Sequence, residues 1–247
     1  MSINTKFFPI NNRDISLLQK SRQIFSDCYL TSTLNSLTRN DFGRNLLKQN
    51  IQKSLNSDIY KIHFPGSPEK PKDIFVTETE INNLVLTDKY ANIINHGFEE
   101  NSIQKAVELA MNKLIQKYPR IKSLICRYAD SVENFEYNFP SEFMSIFTGK
   151  QPTVINEKSL RMSLKSKQKQ VFEILKEINN SNGDFNFVAG TGFKRKSEFD
   201  DWHCFTVQDV NLKNNSITLY NTRICSSTVL NINTFIDKFK YLAGYIN

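Results

Sequence analysis

Ser26-Asp27-Cys28-Tyr29-Leu30 is the stretch whose reading decides the fold. A cysteine stands where a loop gives way to a helix. Leu30, Leu34 and Leu37 follow at i, i+4 and i+7, one face of a helix. The spacing predicts a helix from Cys28 to about Leu37, broken at Asn40-Asp41 and resumed through Ile51, with Leu46 and Leu47 apolar. Cys28 falls in the first turn, where free N–H groups and the positive end of the helix dipole favour a thiolate. The thiolate is the reactive form of cysteine, so a nucleophile is built at such a place. A free cysteine is more often a small buried apolar residue. Taken alone, the stretch favours that plainer reading. What reverses it lies far along the chain.

Outward from Cys28, residues 1–21 read as an irregular lead-in with a short helix near Ile15–Lys20. Ile59–Phe64 alternates like a strand, Pro65-Gly66-Ser67-Pro68 turns, and Asp73–Thr77 returns. His63 lies in that alternation beside Lys61 and reads as an ordinary strand histidine. Asn101–Tyr118 is the clearest amphipathic helix, with Ile103, Val107, Ala110, Met111, Leu114 and Ile115 on one face. A short helix begins at Phe139-Pro140 and stops at Thr148-Gly149. Another covers Ser159–Ile178 and ends in Asn179–Gly183. Strands follow at Phe185–Ala189, His203–Val210, Ser216–Tyr220 and Ser227–Ile232, then a helix at Thr234–Leu242. Helices first and antiparallel strands last is the α+β pattern. No Pro- or Gly-rich linker divides the chain. The expectation is one domain, 1–247, with a mainly helical lobe to about residue 180 and a β lobe from about 181.

Bulk properties narrow the function. The 247 residues supply ample core, and no apolar run is long enough to span a membrane. Met1–Pro9 lacks the apolar core of a secretory signal. The expected location is a cytosol, or export by a route that needs no such signal. Cys28, Cys126, Cys204 and Cys225 form no Cys-x-x-Cys pair, and with three histidines there is no zinc-like cluster. Reduced thiols are expected. The net charge of +7 is spread along the chain, denser at Arg161–Lys169 and Lys194–Lys196. Those runs lack the aromatic interleaving of a nucleic-acid platform, so no nucleic-acid partner is expected.

The partner for Cys28 is in Trp202-His203-Cys204-Phe205-Thr206-Val207, where a histidine opens a strand. Ile217–Asn221 ends the next strand with a carboxamide, and a turn at Asn214-Asn215 brings His203 and Asn221 to one end of the hairpin. The histidine takes the thiol proton and later protonates a leaving amine, while the amide holds the imidazole in its useful tautomer. Asp209 is the competing orienter, but its place along the same strand makes that role awkward. Cys204 points to the opposite strand face and reads as a core residue. A helix-start cysteine, a helical lobe, then histidine and asparagine on adjacent strands is the order of papain-like hydrolases.

The motifs resemble the protease core of the calpain family over nearly the whole chain. Asp27-Cys28-Tyr29-Leu30 and Leu34-Asn35-Ser36-Leu37-Thr38 resemble its Asp-Cys-Trp-Leu motif and Ala-Ser-Leu-Thr continuation. Tyr60–Thr77 is similar to the strand pair that follows. Gln104-Lys105-Ala106 to Leu114 is similar to its Glu-Lys-Ala helix, and Ser141-Glu142-Phe143 to Gly149 to its Leu-Thr-Gly turn. His203–Val207 resembles His-Ala-Tyr-Thr-Val, Ile217–Asn221 the strand ending in Arg-Asn-Pro, and Phe235–Phe239 the closing helix. The Cys and His motifs are the specific ones; the others count through their order.

The resemblance implies a papain-like two-lobe cysteine protease with Cys28 as nucleophile, His203 as base and acid, and Asn221 as orienter. Trp202 would line the cleft. Two departures stand out. Calpains carry a glutamine six residues before the cysteine as an oxyanion donor; Arg22 stands there, and Gln23 is the candidate donor one residue late. The tryptophan that follows Asn-Pro is absent, since Asn221-Thr222-Arg223 stands there. Calcium-sensing residues are not recognisable, so no metal or cofactor is expected. The expected partner is a protein substrate. By analogy, a small chain without regulatory domains fits a bacterial effector acting on a host protein. The same triad also serves deubiquitinases, deamidases and acyl-transferases, and an inactive binding module is the non-enzymatic alternative.

Overall fold

The helix expected at Cys28 forms with the bounds its spacing predicts, Cys28–Leu37. The computed structural model of the chain describes residues 5–22, 28–55, 58–87, 102–118, 121, 140–156, 164–191 and 203–247. In chain order these form β1 (Phe7–Pro9), α1 (Asn12–Gln19), α2 (Cys28–Leu37), α3 (Asp41–Asn50), β2 (Ile51–Ser54), β3 (Ile59–His63), β4 (Asp73–Thr77) and α4 (Glu78–Thr87). Then come α5 (Ser102–Lys117), α6 (Pro140–Thr148), β5 (Thr153–Asn156), α7 (Leu164–Asn180), β6 (Phe185–Thr191), β7 (Cys204–Asn211), β8 (Ser216–Asn221), β9 (Ser226–Asn231), α8 (Ile232–Lys238) and β10 (Phe239–Ile246). The class is α+β with two antiparallel sheets, ordered β1-β2-β3-β4 and β5-β10-β6-β7-β8-β9.

Two apolar cores lie on opposite faces of the six-stranded sheet. Strand alternation sorts them: Phe187 and Ala189 of β6 face α7 and α8, while Val188 between them joins the core around α2. The α2 core also takes Leu30, Leu34 and Leu37, the α5 stripe of Val107, Ala110, Met111 and Leu114, and Ile62 and Val76 from the four-stranded sheet. Each fully buried Leu there contributes about 1.5–3 kcal/mol of transfer free energy. The helix α2 is thus enclosed between the six-stranded sheet and helices α1, α3, α5 and α6, and all ten of its residues are buried.

Local signals set the ends of the flanking helices. Asn11 and Asp14 form a reciprocal capping box on α1. Asn40 caps α3, its Oδ1 accepting the Gly43 N–H at 2.9 Å. Gly43 lets α3 pass against the end of α2: a Cβ there would sit 2.2 Å from the Leu37 carbonyl oxygen.

Three readings of the sequence need correction. The terminal helix expected at Thr234–Leu242 ends at Lys238, and the chain continues as β10, a strand between β5 and β6. An apolar run such as Phe239–Ile246, covered on both faces, carries no clean period to mark it as strand. Second, the mainly helical part before residue 180 holds two strands beyond the expected pair: β1 and β2 join β3 and β4 in a sheet of their own. Third, β5 pairs with β10, so the six-stranded sheet draws in Thr153–Asn156, from well before residue 181. The part of the helix expected at Ser159 that precedes Leu164 lies outside the described residues, as does Asn101 of the other.

Candidate active site

Short polar side chains bind α2 to the six-stranded sheet and so place Cys28. Ser32 Oγ donates to the Cys204 carbonyl at 2.9 Å, and Thr206 Oγ1 donates to the Ser32 carbonyl at 3.0 Å. One turn further, Asn186 Nδ2 donates to the Ser36 carbonyl at 2.7 Å. The Ser32 and Thr206 hydroxyls and the Asn186 amide thus each find a backbone acceptor in this buried interface, which offsets the cost of enclosing them. Ser32 is one turn after Cys28. Holding Ser32 to Cys204 therefore fixes the first turn of α2 against the start of β7.

His203 immediately precedes β7. Its Nε2 lies 2.8 Å from Asn221 Oδ1, at the end of β8. The pairing of Thr206 with Tyr220 brings the two ends together. Asn221 Oδ1 also accepts the backbone N–H of Arg223 at 2.9 Å. An oxygen that accepts from Arg223 calls for a proton on Nε2, which leaves Nδ1 as the free ring nitrogen. His203 also hydrogen-bonds Cys28. With Nε2 committed to Asn221, that bond falls to Nδ1. Cys28, His203 and Asn221, the three residues singled out from sequence, thus form one chain of contacts. All three are buried, at 6%, 4% and 8% exposure. The Phe205 ring meets the His203 ring edge-on, with centroids 4.7 Å apart, and Phe239 backs Phe205 at 5.4 Å. An aromatic pair therefore supports the imidazole where the expected tryptophan is missing.

The thiol of Cys28 is pulled down from the ordinary 9.0 to about 5. The largest cause is a hydrogen bond from the Cys204 thiol; burial opposes it; the hydrogen bond and charge of His203 and the Cys204 backbone N–H add to it. The Cys204 thiol is pushed well above its usual value by its bond to the Cys28 sulfur and by burial. The two opposite shifts favour the proton of the pair on Cys204 and the thiolate on Cys28. Cys204 does stand in the core, as expected, but it also touches Cys28, which alternation along β7 did not reveal.

Arg22, at the position where a glutamine was looked for, turns elsewhere. Its Nε donates to the Arg223 carbonyl at 3.3 Å, beside the loop that Asn221 holds. Its own carbonyl accepts from Gln104 Nε2 of α5 at 3.0 Å, and Gln104 also donates to Glu108 Oε1 at 2.7 Å. These buried polar residues interrupt the α5 stripe and anchor the chain just before Gln23; sequence reading had assigned them no role. Gln23 and Trp202 lie outside the described residues.

The other candidates fall away from this centre. Asp209 is exposed, beyond an irregularity in β7 at Val207/Asp209, and its charge acts on Arg39. His63 pairs with Asp73 at 2.6 Å on the first sheet. Among the described residues no group of three or more His, Cys, Asp or Glu is placed to hold a metal ion, and no helix is long and apolar enough to cross a membrane. No protein-family model matches the chain, and no curated protein matches it.

Proposed function

We propose that the chain is a papain-like, calpain-like cysteine hydrolase that cleaves an amide bond of a protein substrate. The observation that carries this reading is the run of contacts from Cys28 through His203 to Asn221, with Nε2 of the histidine on the carboxamide oxygen at 2.8 Å. That arrangement leaves the other ring nitrogen facing a depressed thiol at the start of a helix.

The chemistry follows from it. The Cys28 thiolate attacks the carbonyl carbon, and the oxygen takes up the charge. The backbone N–H of Cys28 and the side chain of Gln23 are the donors assigned to that oxygen. The His203 imidazolium gives its proton to the leaving amine as the C–N bond breaks, which leaves a thioester on Cys28. Water then attacks the thioester with His203 as base, and the thiolate and imidazolium return as the acid departs. Asn221 holds the ring at one angle through both steps. The working compartment is a cytosol, the cell's own or a host's, where the thiols of Cys28, Cys204 and Cys225 stay reduced.

New protein N-termini in a lysate treated with the active chain, set against Cys28→Ala, test the reading. New termini that depend on Cys28 support proteolysis. Substrates changed in mass without cleavage would replace it with deamidation or acyl transfer. Identical effects of both proteins would overturn it.

A further inference from the structure

We propose that Cys204 is the resolving thiol for Cys28: a hydroperoxide that oxidises Cys28 drives the two sulfurs into a reversible disulfide. The inference rests on the Cys28 thiolate of the proposed site and adds a modification that the hydrolytic cycle does not use.

The geometry comes first. Both cysteines are reduced, both are 6% exposed, and their side chains are already hydrogen-bonded to each other. A disulfide requires two sulfurs on facing backbones close enough for direct contact. Here the facing backbones are the first turn of α2 and the start of β7, held by the Ser32–Cys204 and Thr206–Ser32 hydrogen bonds. Cys225 is placed differently, in the turn after Asn221, with its thiol towards the Thr222 carbonyl at 3.7 Å. A hydrolase triad needs no second thiol against its nucleophile. In the hydrolytic cycle the Cys204 thiol only supports the Cys28 sulfur through its hydrogen bond, and no step uses the Cys204 sulfur as a nucleophile.

The steps balance. The Cys28 thiolate attacks one oxygen of the peroxide, the O–O bond breaks, and the departing oxyanion takes the His203 imidazolium proton. Sulfur is oxidised, peroxide is reduced, and Cys28 becomes a sulfenic acid. The Cys204 sulfur then attacks the Cys28 sulfur, the S–O bond breaks, and the thiol proton leaves with hydroxide as water, relayed by the now neutral His203. The product is the Cys28–Cys204 disulfide. A dithiol reverses it by exchange and restores the thiolate. Without Cys204 the sulfenic acid meets further peroxide and passes to the sulfinic and sulfonic acids, which a dithiol does not reverse. Oxidation would thus silence the enzyme without destroying it.

The test uses the full chain, hydrogen peroxide, alkylation of remaining thiols, and peptide mass mapping without reductant. The expected product is a Cys28 peptide joined to a Cys204 peptide, lighter by two hydrogens than the separate pair. Dithiothreitol should release it and return Cys28 alkylation to the untreated level. Cys204→Ser should instead gather two or three oxygens on Cys28, unaffected by dithiothreitol. Wild-type Cys28 that gains those oxygens with no link to Cys204, or that bonds to Cys126 or Cys225, overturns the proposal. The wild-type map decides the matter even where the variant misfolds. Because the readout is mass alone, it is independent of whether any amide substrate is cut.

Discussion

Asn221 Oδ1 accepts two hydrogen bonds, from His203 Nε2 at 2.8 Å and from the Arg223 N–H at 2.9 Å. The second fixes which end of the carboxamide faces the imidazole. A flipped amide would set its NH2 against a backbone N–H, donor against donor.

Replacing Asn221 with Ala removes both bonds. The expected cost is about 1–3 kcal/mol of stability, since the buried donors are left unmet. The rate of Cys28 alkylation at neutral pH should fall on the order of 10-fold or more, a fraction of the ~10²–10⁴-fold that positioned proton transfer contributes. Asn221→Asp keeps an acceptor for both donors and should retain most of the reactivity. Denaturant melts and alkylation rates on the three proteins check this. Equal reactivity in all three would remove Asn221 from the site.

Gln104 ties the Arg22 carbonyl to Glu108 at the threshold of Gln23. Gln104→Leu fills the space but donates to neither. Its expected loss is about 1–3 kcal/mol in stability. Once a substrate is in hand, kcat should fall more than KM, because the anchored segment leads to the assigned oxyanion donor. A change in KM alone would speak against that link.

Gly43 lets α3 meet α2 at Leu37, and a Cβ there comes 2.2 Å from a backbone oxygen. The obstacle is main chain and has no rotamer to yield. Gly43→Ala should therefore destabilise by about 1–3 kcal/mol or more, despite the better helix propensity of alanine. A thermal melt of the variant at or above wild type would show that α3 shifts freely.

The strongest periodic segments were legible in the sequence. Leu30, Leu34 and Leu37 marked α2, and the stripe from Ile103 to Ile115 marked α5, because each has an apolar face of helical period. Strand β10 was not legible. Its residues are buried almost throughout, so its apolar run shows neither the period of a helix nor the alternation of a strand. The polar face of α2 was hidden for a related reason. Ser32 and Ser36 carry no apolar period, and only the sheet that receives them accounts for their burial. At the site, residue type and chain order pointed to Cys28, His203 and Asn221. Cys204 and Phe205 were hidden because their roles depend on which side of β7 faces α2.

The central claim is that Cys28 is a thiolate held by His203 and Cys204. Its thiol value is lowered from 9.0 to about 5. An acid with a lowered value stays ionised at neutral pH and loses its charge only as pH falls through the lowered value. The direct measurement is the iodoacetamide alkylation rate of each cysteine across pH, read by peptide mass. The account predicts that Cys28 reacts faster than Cys225 at neutral pH, with a rate that drops only as pH falls through about 5. Cys28 labelling that rises only towards 9.0, no faster than Cys225, would contradict it.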